Sequence, residues 1–425
     1  MICSTQNKNY DVIVIGGGPG GSTTAALVAA QNHRVLLLER DKSPRFKVGE
    51  SLIPATYWTF ERLGILEKLK TSHFPQKYSV QFYSQTGKAS KPFYFFENDP
   101  HESSITWQVL RSEFDQLLLD HAEEKGATVQ RGASVHEVLF EQNRAVGVRG
   151  KLPDGRVEEY TAKVIVDSTG QSALISRQLK INTTEQQLKN ASIFTHFEGA
   201  TRDPGIDAGA TLILHTEHKD SWFWYIPLPY DRVSVGVVGG INYLLQHRRS
   251  SDGKLNHQVI FDEELEKCPA IKSRLENAMQ CFDVKVTKDF SYRASQIAGD
   301  GWVLVGDAFC FLDPVYSTGL FLALKSGEMA ADAINDALEA DDFSGEQLGK
   351  FGPEFVEGME AFRKLVYAFY TKEFSFAKFL NRFPECQQGI IDILSGNVFT
   401  KDVSQIFPPM RQMCPLPEEM EIEQN

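Results

Sequence analysis

Two tryptophans two residues apart, in the run Ser221, Trp222, Phe223, Trp224, Tyr225, Ile226, Pro227, stand out in a chain with only 5 tryptophans among 425 residues. In an extended segment, residues two apart share a face, so Trp222 and Trp224 project together as one aromatic wall and Pro227 ends the strand. Alone, the run also suits an aromatic core strand. A second constellation opens the chain. The apolar run Asp11 to Ile15 leads into Gly16, Gly18 and Gly21 at the G-x-G-x-x-G positions. One glycine serves the tight turn, one lets the backbone approach a pyrophosphate, and one lets helix pack on strand. Ser22 to Ala30 then read as a helix whose N-terminus offers free N–H groups to phosphate. The strand Val35 to Leu38 ends at Glu39 and Arg40, 18 and 19 positions past Gly21, where an acid would accept from ribose hydroxyls.

Two later segments repeat the pattern of an apolar strand running into small residues: Gly301 to Ala308, with Asp307 after Gly306, and Val164 to Gly170. Each alone is a glycine-capped strand end. Together, in this order, they resemble the flavin fingerprints of the aromatic-hydroxylase class of FAD enzymes. That resemblance implies FAD, with Asp307 holding the ribityl chain and the following helix aimed at the isoalloxazine ring. Only one dinucleotide fingerprint is visible, so no separate nicotinamide site is expected, and reduced flavin is expected to come from a separate flavin reductase.

Over most of its length the chain resembles the flavin-dependent halogenases. Trp222, Trp224, Ile226 and Pro227 fill that family's signature, joined by Gly49, Glu50 and Ser51 with Pro54, by Gln108, Val109, Arg111, Phe114 and Asp115, and by Asp313, Pro314, Ser317, Thr318 and Gly319. The resemblance implies that reduced FAD, O2 and halide (bromide or chloride) form a hypohalous species that halogenates an aromatic ring held apart from the flavin. It implies Lys77, in Phe74 to Tyr78, as the catalytic lysine, with Trp222, Trp224 and Ser317. A lysine can donate hydrogen bonds to the oxidant or, deprotonated by burial, form a haloamine; both remain open from the sequence. The ordinary reading of Lys77 is a solvated strand residue. Cofactor contacts are expected from Gly16, Gly18, Gly21, Glu39, Arg40, Glu50, Ser51, Arg111, Asp307 and Gly319, and halide at the N–H groups of Thr318 and Gly319.

Tryptophan-halogenating members carry a glutamate just before the Ser-Thr-Gly, where this chain has Tyr316. Lacking that carboxylate, the enzyme should need a strongly nucleophilic ring, a pyrrole or phenol. Tyr316 and Phe321 are candidates to line the pocket, Phe321 equally a core residue. The likeness is to the pyrrole and phenol branch, several members of which act on rings tethered to carrier proteins, and within it to pyrrolyl-carrier-protein halogenases, brominases included. An acyl or peptidyl carrier protein is therefore an expected partner. The rival readings are an FAD-dependent aromatic monooxygenase and a catalytically silent flavoprotein scaffold.

The expected fold is α/β: an FAD-binding Rossmann-like domain of the aromatic-hydroxylase type (1–75, 101–184, 291–340), interleaved with a β-sheet substrate layer (76–100, 185–290) and followed by a C-terminal helical region (341–425). Strands are expected at 191–197, 211–215 and 233–238, exposed loops at 199–205 and 247–253, and a frayed acidic tail from Pro417. Phe355, Met359, Phe362, Val366 and Phe369 recur at helical spacing. Arg363, Lys364, Lys372, Lys378 and Arg382 cluster around them as a carrier-facing basic surface or as solvated cations on a packed cap. A net charge of −12 argues against nucleic acid, and against an acidic carrier unless the docking face is locally basic. No apolar run reaches the ~18 residues of a membrane span, and no signal peptide is evident, so a cytoplasmic protein without membrane association is expected. The 6 cysteines are too scattered for a disulfide framework or a metal site.

Overall fold

Val12, Ile13, Val14 and Ile15 have no polar face, which suits a strand covered on both sides, and β1 (Asn9–Ile15) lies inside a parallel sheet with all four buried. The computed structural model describes residues 8–43, 45–246, 255–288 and 291–419. After β1 come α1 (Pro19–Ala29) and β2 (Val35–Glu39), which returns parallel to β1 with Val12 opposite Val35. The sheet runs in the order Ala298–Gly299, Trp302–Leu304, Val157–Asp167, β1, β2, Thr128–Arg131. A hairpin, Ser134–Glu141 and Arg144–Lys151, extends the first half of Val157–Asp167. α1 packs against the long helix Thr318–Ala340, where Thr24 Oγ1 donates to the carbonyl of Gly327 at 3.0 Å.

A second sheet runs Met279–Gln280, Asn190–Glu198, Arg232–Gly240, Ser221–Pro227, Thr211–His215, Ser79–Tyr83, Phe93–Tyr94, with Lys285–Lys288 also paired to Asn190–Glu198. Its alternation separates two cores. Trp222, Trp224 and Ile226 pack with the core of the parallel sheet, while Phe223 and Tyr225 pack on the helices His257–Glu266 and Pro269–Leu275. The short strand β3 (Gln76–Lys77) pairs separately with Thr106–Trp107.

The helix Gly352–Tyr370 buries Phe355, Met359, Phe362 and Val366, and Phe376–Arg382 and Gln387–Ser395 follow it. The expectation of a frayed tail is corrected where the tail is described. The Glu418 carbonyl accepts from Arg363 Nη1 at 2.8 Å and Glu419 pairs with Lys364 at 2.9 Å, because two largely buried cations need acceptors. Residues 420–425 and the expected loop at 247–253 lie outside the described residues. Among the described residues, no helix is long and apolar enough to cross a membrane.

Candidate active site

The C-terminal ends of the parallel strands open onto a cavity of about 640 Å³, of a size to take a large organic cofactor. Gly16, Gly18, Glu39, Arg40, Arg111, Asp307 and Gly319 all line it. A side-chain carbon placed on Gly18 would meet nothing within 4 Å, so this backbone is bare toward the cavity, as a pyrophosphate at the start of α1 requires. Gly21 does not line the cavity. A carbon there would lie 2.1 Å from the Gly16 carbonyl oxygen, so its glycine serves close packing of α1. The Glu39 carboxylate accepts from the N–H of Gly17 at 2.6 Å and of Asp41 at 2.8 Å, which fixes it at the cavity edge.

Arg111 is clamped in turn. Its guanidinium donates to Asp115 at 2.8 and 3.0 Å and to the carbonyls of Val48 and Gly49 at 2.9 and 3.1 Å. Burial raises the Asp307 carboxyl to about 6, opposed by the charges of Arg111 and Lys47. These residues fit a flavin dinucleotide: bare backbone for phosphate, an acid for ribose and a second carboxylate facing a guanidinium. Arg45, Phe46, Lys47 and Lys285 also line the cavity and were missed in the sequence. The basic pair flanking Phe46, between β2 and the Gly-Glu-Ser, was the available signal.

Glu50 and Ser51, expected at the cofactor, do not line the cavity. Gly49, at φ 96°, lines the cavity, and the chain then turns inward. Glu50 Oε1 meets His196 Nε2 at 2.8 Å, both side chains buried. Ser51 turns to Lys77.

Lys77 is fully buried (0 % exposed), which excludes the solvated reading. β3 holds it opposite Thr106, with Nζ 2.9 Å from Ser51 Oγ and 2.9 Å from the carbonyl oxygen of Leu52, and 5.7 Å from the centre of the Phe95 ring. No carboxylate of the described residues pairs with it. Burial alone pushes its ammonium down to about 7, so both the charged and the neutral form are accessible near neutrality.

Trp222 and Trp224 lie on one face with ring centres 6.3 Å apart, both buried. Trp224 Nε1 donates to Ser234 Oγ at 3.1 Å. Trp222 Nε1 donates to the hydroxyl of Tyr370 at 3.0 Å, which donates to Asp313 Oδ2 at 2.9 Å. Asn190 Nδ2 also donates to that oxygen, at 3.2 Å, and the Val315 N–H donates to Oδ1 at 3.0 Å. Burial nevertheless raises the Asp313 carboxyl to about 7. Tyr370 and Asn190 carried no signal in the sequence. Tyr370→Phe leaves the buried Trp222 N–H unpaired and removes a donor from Asp313, and should lower the unfolding free energy in urea by about 2 kcal/mol.

Ser317 takes the left-handed conformation (φ 58°) and precedes the 23-residue helix Thr318–Ala340 without a side-chain cap. The N–H groups of Thr318 and Gly319 therefore head a helix whose first turn holds no acid, an arrangement suited to an anion. The Tyr316 hydroxyl donates to the Leu365 carbonyl at 3.2 Å. Phe321 packs against Phe362 and Phe399, the core alternative.

The expected basic face is corrected for Arg363 and Lys364. Arg363 is buried among Glu185, Glu360 and the Glu418 carbonyl, and Lys364 pairs with Glu419, since charges at those depths need partners. Lys372 is exposed but paired with Asp220; Lys378 and Arg382 are exposed.

The tryptophan halogenase family model matches residues 11–103 and 93–376. A 1H-pyrrole-2-carbonyl (peptidyl-carrier protein) brominase of Pseudoalteromonas luteoviolacea is 33% identical over 339 residues, covering 79% of this chain and 80% of that protein. The corresponding chlorinase of Pseudomonas fluorescens is 29% identical over 427 residues, covering 95% and 93%. Among solved structures, the myxobacterial chondrochloren halogenase matches with a TM-score of 0.78 at 30% identity, over 95% of this chain and 96% of that one. The flavin-dependent brominase Bmp2 matches with a TM-score of 0.83 at 27% identity, over 95% and 98%.

Proposed function

The chain belongs to the tryptophan halogenase family and is a flavin-dependent halogenase, and on that footing we propose that it halogenates an electron-rich pyrrole presented as a pyrrole-2-carbonyl group on a peptidyl carrier protein. The observation that carries the reading is Lys77: it is fully buried without an acid partner, so its nitrogen costs the fold stability, and groups perturbed in this way cluster at functional sites. The pyrrole is supported by the activities of the two bacterial relatives and by Tyr316. Position 316 supplies a phenol held by the Leu365 carbonyl rather than the glutamate of the tryptophan-halogenating members, which favours a ring that is nucleophilic by itself.

When bound, reduced FAD supplies the electrons by which one atom of O2 leaves as water and the other ends, with halide, as hypohalous acid. The residues do the rest. Gly16, Gly18 and Glu39 hold the dinucleotide, with Arg111 and Asp307 further along the cavity. Thr318 and Gly319 present N–H groups to the halide. Trp222 and Trp224 close off the flavin so that oxygen is not passed directly to the ring. Lys77 handles the oxidant, as an ammonium donating to its oxygen or as an amine taking the halogen. The ring then takes the halogen and loses a proton. A separate flavin reductase supplies reduced flavin, and the protein works in the cytoplasm.

The test is mass spectrometry of the full-length protein with FAD, a flavin reductase, NADH, O2 and equal chloride and bromide. It is offered pyrrolyl-carrier protein, free pyrrole-2-carboxylate and simple phenols. A halogen isotope pattern on the carrier-bound pyrrole is the expected result. Halogenation of a phenol alone overturns the substrate, and addition of oxygen without halogen overturns the reaction.

A further inference from the structure

A chain of side chains leads to Lys77 from the sheet that carries the tryptophans. Gln108 Nε2 lies 2.9 Å from the Gly209 carbonyl and 2.8 Å from Thr211 Oγ1, Thr211 Oγ1 lies 3.0 Å from Ser51 Oγ, and Ser51 Oγ lies 2.9 Å from Lys77 Nζ. All four side chains are at most 3 % exposed, so bulk water does not complete their hydrogen bonds. Thr211 begins the strand paired to Ser221–Pro227, with Leu212 opposite Tyr225.

The direction of the chain follows from its far end. A backbone carbonyl only accepts, so the Gln108 amide must turn its NH2 toward Gly209, and its second N–H then points at Thr211. Thr211 Oγ1 thus accepts from Gln108, and its own proton has Ser51 Oγ as partner. Ser51 accepts from Thr211, and its remaining proton has Lys77 Nζ as partner. Only a nitrogen with a free lone pair accepts that proton. An ammonium would instead donate to Ser51, leaving one hydroxyl proton of the buried chain without an acceptor.

We propose that Gln108, Thr211 and Ser51 are positioning residues that form a one-way chain of hydrogen bonds ending on the nitrogen of Lys77, holding it as the free amine. The amine still donates one N–H to the Leu52 carbonyl, 2.9 Å away. Charged groups nearby do not oppose this. Glu50 faces His196, Glu97 pairs with Lys91, and Glu102 bonds Tyr57 and Lys70. No acidic or basic side chain of the described residues pairs with Lys77 from β3, the Thr106–Trp107 strand, residues 50–53 or the turn at Phe95–Glu97. The low affinity of the buried nitrogen for a proton agrees with the same polarity. The catalytic meaning of the chain rests on the halogenase reading; the hydrogen-bond polarity does not.

The experiment is an NMR titration of the Lys77 side chain in full-length protein labelled with 13C,15N-lysine, the signal assigned by its loss in Lys77→Met. If Ser51 donates to the amine, Ser51→Ala removes support for the neutral form, and the midpoint should rise by about one pH unit, a tenfold change in the amine-to-ammonium ratio. The near-isosteric Thr211→Val leaves Lys77 as the acceptor of the Ser51 proton, so its midpoint should stay at the wild-type value, as should that of Thr211→Ser. If Ser51 instead accepts from an ammonium and donates to Thr211, Ser51→Ala and Thr211→Val each remove support for the charged form and both midpoints fall. A fall in either variant, or no change in Ser51→Ala, overturns the proposal whatever the substrate proves to be.

Discussion

Lys77→Met is expected to lower formation of halogenated product by about 1,000-fold or more, equivalent to about 4 kcal/mol of barrier, while FAD binding and reoxidation of reduced flavin stay within about twofold of wild type. The dissociation arises because Lys77 does not line the cofactor cavity and touches Ser51, Leu52 and Phe95 instead. Steady-state oxygen uptake and mass spectrometry on the same sample separate the two effects. A variant that still halogenates at a tenth of the wild-type rate would remove Lys77 from the chemistry.

The same substitution should make the protein more stable below about pH 7, as expected for a buried group that costs the fold stability. Burial moves the lysine from its ordinary 10.5 to about 7, a difference corresponding to about 5 kcal/mol. The sign follows from proton counting. Between about 7 and 10.5 the unfolded chain binds the proton and the folded one does not, so wild-type stability rises with pH across that window. The penalty is fully present below about pH 7 and is gone above 10.5. Methionine removes it but leaves Ser51 and the Leu52 carbonyl without their partner, at about 1–3 kcal/mol. The net expectation is a gain of about 2 kcal/mol at pH 6 that vanishes and reverses by pH 10, read from urea unfolding of both proteins.

Gly18→Val and Gly21→Ala should fail in opposite ways although they lie three residues apart. Gly18 has φ −74° and ψ 179°, which any residue adopts, and open space where a side chain would go. Valine there should leave unfolding within about 0.5 kcal/mol of wild type. It should also weaken FAD by about 100-fold, a loss of about 2.7 kcal/mol, because the side chain takes the space of the pyrophosphate. A carbon on Gly21 instead collides with the Gly16 carbonyl oxygen in the strand-to-helix turn and with Ser168 Oγ just after the strand Val157–Asp167, 2.1 and 2.2 Å away. Gly21→Ala should lower stability by about 3 kcal/mol and reduce FAD binding as a result. Flavin fluorescence titration beside urea unfolding distinguishes the two. Equal loss of affinity and stability in both variants would mean that Gly18 does not face the phosphates.

Much of the site could be read from residues in order, because its determinants are local. A glycine's role at a turn depends on its neighbours within a few positions, and Trp222 and Trp224 share a face through strand periodicity alone. Arg111 and Asp307 were named through the family resemblance, and both line the cavity. Glu50, named in the same way, does not. It lies one residue past Gly49, which lines the cavity, yet its carboxylate turns to His196, 146 positions away. Arg363 and Lys364 looked like surface cations because helical spacing shows which face a residue is on, not what packs against that face. Glu185, Glu360 and the segment at 418–419 cover it.

The amino-acid sequence by itself therefore determined the α/β architecture, the glycine-rich dinucleotide turn and the shared face of Trp222 and Trp224, each written in short-range pattern: strand alternation, glycine spacing, a helix start. The family was legible through the resemblance of its motifs, Trp222, Trp224, Ile226 and Pro227 among them. Only the tertiary structure decided the burial and partners of Lys77, the link from Trp222 through Tyr370 to Asp313, and the partners of the buried cations. Those depend on burial and on hydrogen bonds between residues far apart in the chain, such as Ser51 with Thr211 and Trp222 with Tyr370. The free energy of a charge or a polar hydrogen is set by all that surrounds it in space.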